Sequence, residues 1–284
     1  SGGARIPAYR FPEDAARALA RASDYGAFLA RPDEPAPELE GVDGDRAAGV
    51  IAAALPGAPR WLAPDEVAQL LGCYGLPLAP WRLAASPEEA AAAAADLGGP
   101  VALKAVAPTL VHKTEAGGVR LGLEGDAVRE AAAAMAAGVG RLGHQVERFL
   151  VQRMVGEGVE LLVGVVHDPL FGPVVACGAG GTAVELLKDV AVRITPLTRS
   201  EADGMVRSLA TFPLLEGYRG APRADLAALE DLLVRVAALA DAHPEIAELD
   251  CNPVRAMPEG AVIVDARVRV EAVPPRPPLG ARRA

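Results

Sequence analysis

A lysine within an apolar stretch is the first candidate for chemistry in this sequence. Lys104 lies in the run 101–106, whose other residues are Val, Ala and Leu, and this run is predicted to be a strand. Because burial of an unpaired ammonium group is costly, an anion is expected to meet Lys104. The alternative is a lysine on an edge strand, whose aliphatic stem lies on apolar surface while its ammonium reaches solvent.

The segment after this strand contains donors and glycines. His112, Lys113 and Thr114 are followed by the pair Gly117 and Gly118. Glycine lets backbone N–H groups approach an anion closely, and the His and Lys side chains add donors and positive charge. The segment is therefore predicted to cover a phosphate group as a flap. A simple hairpin turn before the next strand is the alternative.

The clearest pattern combines a carboxamide with carboxylates. In the stretch 248–253, the alternation of side chains along a strand places Glu248, Asp250 and Asn252 on one face. Asp265 lies in the next apolar strand, and the turn between the strands would bring it beside Asn252. Oxygen ligands of this kind suit Mg²⁺. The alternative, a solvated polar face beside a hydrogen-bonded asparagine, does not account for an inward-facing Asp265.

A glycine-rich turn at 178–181 precedes Thr182 and a predicted helix. Such turns bind phosphate at helix N-termini, but a single match is weak evidence for that function. Glu185 and Asp189, which follow, are equally consistent with a solvated face paired with Lys188.

Composition restricts the possible partners. The chain has 284 residues and a net charge of −9, which argues against nucleic acid as the main partner, because that partner requires a basic face. Gly, Pro or a charged residue interrupts every apolar stretch, so no membrane span is predicted. Three cysteines without metal or pairing spacing indicate free thiols of a reducing compartment, and a cytoplasmic location is expected.

The elements that must position these residues alternate between helix and strand, which predicts an α+β fold. Predicted helices cover 13–29, 46–54, 64–73, 87–97, 126–137, 199–209 and 226–243. Predicted strands cover 101–106, 149–155, 160–166, 174–177, 247–254 and 261–268. Two helix starts have capping-box spacing, at Ser86 with Glu89 and at Thr198 with Glu201.

Taken in order, these motifs resemble the ATP-grasp domain of NDP-forming acyl-CoA (acetyl-CoA) synthetases, including those fused to GNAT acetyltransferases. They are more distantly similar to the succinyl-CoA synthetase β subunit. The resemblance covers residues 57 to about 270 and rests on the motifs PVALK (100–104), HK (112–113), GGV (117–119), VQRM (151–154), Glu160, FGP (171–173) and ELDCNP (248–253). It implies an ATP-grasp fold, in which two α/β lobes enclose a nucleotide cleft.

The resemblance also implies a domain organisation. The expected segments are a C-terminal remnant of a CoA-ligase domain at 1–30, a linker at 31–56, ATP-grasp lobe 1 at 57–150, lobe 2 at 151–271 and a disordered tail at 272–284.

For the phosphate end of the site, the resemblance implies that Lys104 contacts the nucleotide phosphates and that His112, Lys113 and Thr114 lie in a flap over them. Lys104 and His112 are thus the implied catalytic residues. His112 resembles a flap histidine that relays a phosphoryl group in some relatives. A histidine that only donates a hydrogen bond to phosphate is the alternative.

For the nucleoside end, the resemblance implies that Gln152 and Val155 lie on the strand that receives adenine and that Glu160 holds the ribose. Gln152 stands where succinyl-CoA synthetases have Glu.

For the metal, Asn252 and Asp265 match the magnesium ligands of the succinyl-CoA synthetase relatives, and Asp250 is the third expected ligand. Asp250 stands where a Glu is common. The implied cofactors are ATP or ADP together with Mg²⁺.

The implied function is ATP/ADP–Mg binding and phosphoryl transfer within an NDP-forming acyl-CoA ligase of the acetate–CoA ligase type. The main phosphohistidine would belong to a CoA-ligase (CoA-binding) domain, in cis or as a partner subunit, so this chain by itself is expected to be incomplete. One alternative is a regulatory nucleotide-binding module of a GNAT acetyltransferase fusion. Another is an ATP-grasp ligase that joins a carboxylate to an amine, which would leave the His112–Lys113 flap without a role.

Overall fold

The computed structural model describes residues 7–30, 34–107, 117–181 and 189–273. The chain falls into two units, residues 1–36 and 37–284. The first unit contains helix α1 (Pro12–Leu29), with proline at its start and Glu13 and Asp14 in its first turn. Proline and acidic residues both favour a helix N-terminus. The predicted tail lies outside the described residues from 274 onward.

The second unit contains the other helices and all the strands of the described chain. Its helices are α2 (Gly44–Ala54), α3 (Pro64–Cys73), α4 (Pro87–Leu97), α5 (Asp126–Arg141), α6 (Arg199–Arg207), α7 (Phe212–Leu215) and α8 (Leu226–Ala242). Its strands are β1 (Arg60–Trp61), β2 (Trp81–Ala84), β3 (Val101–Val106), β4 (Val119–Leu123), β5 (Arg148–Arg153), β6 (Val159–Asp168), β7 (Gly172–Ala179), β8 (Val190–Ile194), β9 (Ile246–Ala256), β10 (Ala261–Ile263) and β11 (Ala266–Val270). No described helix is long and apolar enough to cross a membrane.

The larger sheet has the strand order β1-β11-β9-β6-β7-β8, and β10 also pairs with β9. Every pairing in it is antiparallel. Alternate residues of its strands point into one core, where helices α3, α6 and α8 cover the sheet. The buried set includes Leu161, Val163, Val175, Cys177, Leu249 and Cys251. The residues between them, such as Glu160 and Asp250, therefore lie on the opposite face.

The smaller sheet has the order β2-β5-β3-β4, and helices α4 and α5 pack on one face of it. Its core is formed by Val101, Leu103, Ala105, Phe149 and Val151 with Ala90, Ala94, Val128, Ala132, Met135 and Val139 of the two helices. The alanine-rich sequence of α4 thus provides a close-packed surface. Lys104 and Gln152 lie on the face turned away from these helices.

The predicted helix starts are confirmed. Ser86 Oγ accepts a hydrogen bond from Glu89 N at 3.1 Å, and the Glu89 carboxylate accepts one from Ala85 N at 2.7 Å. At the start of α6 the pair is fully reciprocal, because Glu201 N donates to Thr198 Oγ1 at 3.2 Å and Thr198 N donates to the Glu201 carboxylate at 3.0 Å. These bonds satisfy N–H groups that a helix leaves without partners in its first turn.

The boundary of the first lobe differs from the one expected from the sequence. Residues 60–76, expected in lobe 1, pack with the larger sheet: β1 pairs with β11, and Leu62, Leu70 and Leu71 are buried in its core. The smaller sheet instead begins at β2 and ends with β5, which extends across the expected boundary at 150. The lobe boundary differs because β1 pairs with β11, which is about 200 residues away in the sequence. Local sequence patterns do not predict pairing over such a separation.

The predicted strand 261–268 is interrupted. It forms two strands, β10 and β11, with Val264 and Asp265 between them. Opposite this break lies Pro253, which has no N–H to donate to the ladder. Strand β9 pairs with β11 up to Cys251 and with β10 from Val254. The sequence predicted Asp265 inside a regular strand, and this prediction is wrong. Asp265 lies at the break between β10 and β11, where its side chain does not follow the alternation of the sheet.

A buried tyrosine–histidine pair between α3 and α8 should make stability depend on pH. Tyr74 Oη lies 3.0 Å from His243 Nε2, and burial lowers the pKa of His243, opposed by the charge of Glu245. Because the unfolded chain takes up this proton near pH 6.5 and the folded chain at lower pH, the contribution to stability is complete above pH 6.5 and is lost as pH falls. Chemical unfolding of the wild type and His243→Gln should show a stability difference that shrinks from pH 7.5 to 5.5. A pH-independent difference would contradict this prediction.

Candidate functional site

The centre of the site is an ion pair between the two sheets. Lys104 Nζ lies 2.8 Å from Asp265 Oδ1 and 3.4 Å from the carbonyl oxygen of Val264. The Lys104 side chain is 14% exposed and the Asp265 side chain 40% exposed. A largely buried ammonium group thus points from the smaller sheet at a more accessible carboxylate of the larger one. The sequence predicted both residues as site residues, but it did not predict their contact.

The position of Lys104 in its sheet excludes the edge-strand interpretation. Strand β3 lies between β5 and β4, so both of its edges are hydrogen-bonded. The neighbouring side chains Leu103 and Ala105 are buried in the core of the smaller sheet. The lysine therefore stands inside the sheet and faces the larger sheet, where an anionic partner stabilises it.

Asn252 and Asp265 come together as the sequence predicted. The backbone N–H of Asn252 donates a hydrogen bond to the carbonyl oxygen of Asp265 at 3.0 Å, and Asn252 is exposed. The break opposite Pro253 is what places the two residues side by side. Asn252 of β9 and Asp265 are thus neighbours in the backbone pairing, and both residues are accessible to solvent.

Asp250, the third expected metal ligand, is half-buried on the face of β9 opposite the core. Burial raises the pKa of Asp250, the charges of Asp265 and Glu248 raise it further, and Arg267, its neighbour on β11, lowers it. The negative charges of Asp265 and Glu248 therefore add to the cost of ionising Asp250. A cation bound near Asp265 would offset part of this cost.

The donor set fits a hard cation, although it is not a preformed cage. Among the described residues, no three His, Cys, Asp or Glu side chains are grouped closely enough to hold a metal ion. Asn252 and Asp265 provide two oxygen donors, and Mg²⁺ completes its coordination in proteins with water and substrate phosphates. One oxygen of Asp265 already accepts a hydrogen bond from Lys104. A bound cation would therefore either share the Asp265 carboxylate with Lys104 or take the place of the Lys104 ammonium group.

Gln152 lies on the same face of the smaller sheet as Lys104. Gln152 is 3% exposed, and among the described residues its buried Oε1 has no hydrogen-bond partner. A buried carbonyl oxygen without a donor is costly, so the position suits a ligand that donates an N–H group. Val155, expected beside it, is half-buried just beyond the end of β5.

Glu160 is held at the start of β6 by an arginine that the sequence analysis did not identify. Arg255 Nη2 lies 2.6 Å from Glu160 Oε1, across the antiparallel pairing of β6 with β9. Arg255 is a charged residue between buried Val254 and Ala256 in an apolar strand. That contrast, which singled out Lys104, could have indicated Arg255 as well.

The glycine-rich turn at 178–181 packs on Glu160. Gly180 N donates to the Glu160 carbonyl oxygen at 2.8 Å, and a Cβ on Gly180 would lie 2.5 Å from the Glu160 carbonyl carbon. Gly181 has a φ of +73°, and a Cβ there would lie 3.2 Å from Glu160 Oε2. Close packing around Glu160 therefore explains both glycines, and the N–H of Gly180 is not free to bind phosphate.

Other expected residues lie outside the described part of the chain. These are His112, Lys113 and Thr114 of the predicted flap, and Thr182, Glu185 and Lys188 after the glycine turn. Strand β4, which begins at Val119, pairs antiparallel with β3, and Ala105 N donates to the Gly118 carbonyl oxygen at 2.8 Å. For Asp189, the alternative of a solvated helix face does not hold, because its carboxylate accepts hydrogen bonds from Ala210 N and from Thr211.

Comparison with known proteins identifies the family of this chain. The family model of the ATP-grasp domain matches residues 53–270. The chain is 38% identical over 266 residues to acetate–CoA ligase [ADP-forming] I of Archaeoglobus fulgidus, which covers 93% of this chain and 38% of that protein. It is 37% identical over 212 residues to the beta subunit of acetate–CoA ligase [ADP-forming] I of Pyrococcus furiosus, which covers 74% of this chain and 91% of that subunit.

Among solved structures, the chain is similar to the dinucleotide-forming acetyl-coenzyme A synthetase 1 of Ca. Korarchaeum cryptofilum in complex with coenzyme A, Ca-AMPCP and HgCl⁺. The TM-score is 0.75 at 37% identity, and the match covers 79% of this chain and 99% of that one. The present chain thus spans little more than a third of the A. fulgidus ligase, but nearly all of the P. furiosus beta subunit. The chain belongs to the ATP-grasp domain family, as a homologue of the beta subunit of ADP-forming acetate–CoA ligases.

Proposed function

We propose that this chain binds ATP or ADP with Mg²⁺ and serves as the phosphoryl-transfer module of an ADP-forming acyl-CoA ligase. The observation that carries the proposal is the meeting of Lys104 and Asp265 from two facing sheets, with Asn252 beside them. A lysine and oxygen ligands at one point provide the charge that the phosphates of a nucleotide require. The Korarchaeum relative was solved with a nucleotide analogue and a divalent cation, which supports the same assignment here.

Each end of a nucleotide has a group to receive it. The Oε1 of Gln152, which has no partner among the described residues, would accept a hydrogen bond from the adenine amino group, beside Val155. The Glu160 carboxylate would accept hydrogen bonds from the ribose. Lys104 would donate to phosphate oxygens, with His112, Lys113 and Thr114 covering them.

A magnesium ion held by Asn252 and Asp265, with Asp250 behind them, would neutralise phosphate charge. The chain's own contribution is positional. Lys104 stands on an interior strand, so its ammonium is fixed within a small range, and phosphoryl transfer depends mainly on such positioning and on charge stabilisation. A bound nucleotide would offer Lys104 phosphate oxygens in place of Asp265, and the Asp265 carboxylate would then be available to hold the cation.

The acid–thiol ligase reaction needs a further domain. Acyl-CoA, ADP and phosphate give the acid, CoA and ATP, with a phosphohistidine as the carrier, and a CoA-ligase domain in cis or as a partner subunit would supply that histidine. The P. furiosus relative is itself named as a beta subunit, which supports a divided enzyme. The regulatory alternative in a GNAT fusion has no support from the relatives described above, whose names denote ligases and synthetases.

Calorimetric titration with ADP tests the proposal. Saturable binding is expected in the presence of Mg²⁺, and affinity should fall at least about tenfold in EDTA, because a lost charge-assisted contact costs about 1.4 kcal/mol or more. The same titration with GDP, compared with ADP, measures the preference for adenine over guanine that Gln152 would impose. Lack of ADP binding with and without Mg²⁺ would refute the proposed function.

A further inference from the structure

Among the described residues, the Glu160–Arg255 pair uses one of the two oxygens of the Glu160 carboxylate. Arg255 Nη2 lies 2.6 Å from Oε1, while Nη1 lies 3.4 Å from the Gly156 carbonyl oxygen. Within the described part of the chain, Oε2 accepts no hydrogen bond. The side chains of Arg255 and Glu160 are 28% and 35% exposed.

A structural ion pair of the same chain provides the contrast. Arg60 and Glu66 are 32% and 27% exposed, and their shortest separation is also 2.6 Å. Both oxygens of Glu66 accept from Arg60, and Oε2 also accepts from Ala63 N. Both oxygens of the Glu66 carboxylate therefore accept hydrogen bonds within the fold, in the bidentate geometry that strengthens such pairs. Among the described residues, only one oxygen of the Glu160 carboxylate does so.

The remaining donors of Arg255 lead to the same conclusion. Arg255 Nε is buried without a partner among the described residues. An arginine kept only for stability would be a poor choice here, because an unpaired buried donor costs free energy that an apolar residue would avoid. What Arg255 does provide is a fixed direction for Glu160 Oε1.

The glycine turn fixes the other side of the carboxylate. The backbone of Gly180 and Gly181 packs against Glu160, and only the absence of side chains there leaves room for Oε2. With Oε1 held by Arg255 and Gly181 packed beside Oε2, the orientation of the Glu160 carboxylate is restricted on both sides. Glu160 lies on the sheet face opposite the core, the same face as Asp250.

We infer that Arg255 is a positioning residue: it holds Glu160 so that Oε2 accepts a hydrogen bond from a ribose hydroxyl of the bound nucleotide. The inference rests on the proposed nucleotide binding. It assigns Arg255 no contact with the phosphates and no part in the transfer step. Its effect should therefore appear only when the ligand carries ribose hydroxyl groups.

The test compares ADP with 2′,3′-dideoxy-ADP, both with Mg²⁺, by calorimetry on the wild type and Arg255→Met. The wild type should bind ADP about tenfold or more tightly than the dideoxy analogue, the scale of one hydrogen bond to a charged group. In Arg255→Met this ratio should fall below about threefold, while affinity for the dideoxy analogue stays nearly unchanged. Glu160→Gln should lower the ratio similarly, and Arg255→Lys should restore part of it.

Arg60→Met is the matched control, because it removes an ion pair of equal length and similar exposure, and it should keep the wild-type ratio. If Arg255→Met does not fold, as circular dichroism would show, the Lys variant must still give a ratio between that of the wild type and that of Glu160→Gln. An equal loss for both ligands, with the ratio preserved, would overturn the inference. A wild-type ratio near one despite tight ADP binding would overturn it while leaving the proposed function intact, whereas absence of ADP binding would overturn both.

Discussion

Replacement of Lys104 by alanine is expected to weaken the binding of Mg²⁺·ADP by roughly 10- to 100-fold, or about 1.5–3 kcal/mol. The ammonium group is 14% exposed on an interior strand and already bonds to an anionic oxygen at 2.8 Å. A phosphate oxygen in place of Asp265 would receive a charge-assisted hydrogen bond in a partly dehydrated setting, where such bonds are strong.

Calorimetry on Lys104→Ala, with thermal unfolding to confirm the fold, measures this effect. Arg129→Ala is the matched control: Arg129 is an exposed cation on helix α5, which packs on the face of the smaller sheet opposite Lys104, so its loss changes net charge equally but away from the site. Unchanged affinity in Lys104→Ala would remove this lysine from the nucleotide site.

Replacement of Asp265 by asparagine is expected to remove most of the magnesium dependence of nucleotide binding. The ratio of affinities with Mg²⁺ and with EDTA should fall from about tenfold or more to about threefold or less. A neutral amide keeps the size of the side chain but not the anionic charge that a hard cation prefers. The same change breaks the ion pair with Lys104, whose ammonium then lacks an anion until a nucleotide binds.

The variant should also be less stable without ligand, by about 1 kcal/mol, a value kept low because the Asp265 side chain is 40% exposed and solvent screens the pair. Asp203→Asn is the control, since Asp203 is similarly exposed and pairs with Arg207 at 2.5 Å on α6. A magnesium dependence equal to that of the wild type would contradict the assignment of Asp265 as a metal ligand.

Combining Lys104→Ala with Asp265→Asn tests whether the two residues act on nucleotide binding independently. If Lys104 exchanges Asp265 for phosphate when the nucleotide binds, the double variant should lose less affinity than the sum of the single losses. Residues that share a partner couple in this way, and residues that act independently do not.

The sequence by itself determined the local elements and the membership in the family. Strand 101–106, helix 64–73 and the capped helix 87–97 occur as predicted, because hydrophobic periodicity and capping residues act within a few positions of one another. The motif order identified the ATP-grasp family, and the comparisons confirm it over residues 53–270. The alternation in 248–252 correctly placed Leu249 and Cys251 in the core.

Only the tertiary structure decided which distant residues meet. Lys104 and Asp265 are 161 positions apart, and Glu160 and Arg255 are 95 apart. No local period relates such positions, because their contact depends on how two sheets face each other and on the register of β6 against β9. The break between β10 and β11 is also a tertiary feature: Val262–Ala266 reads as one apolar strand until the missing N–H of Pro253, on the paired strand, interrupts the ladder and turns Asp265 toward Lys104.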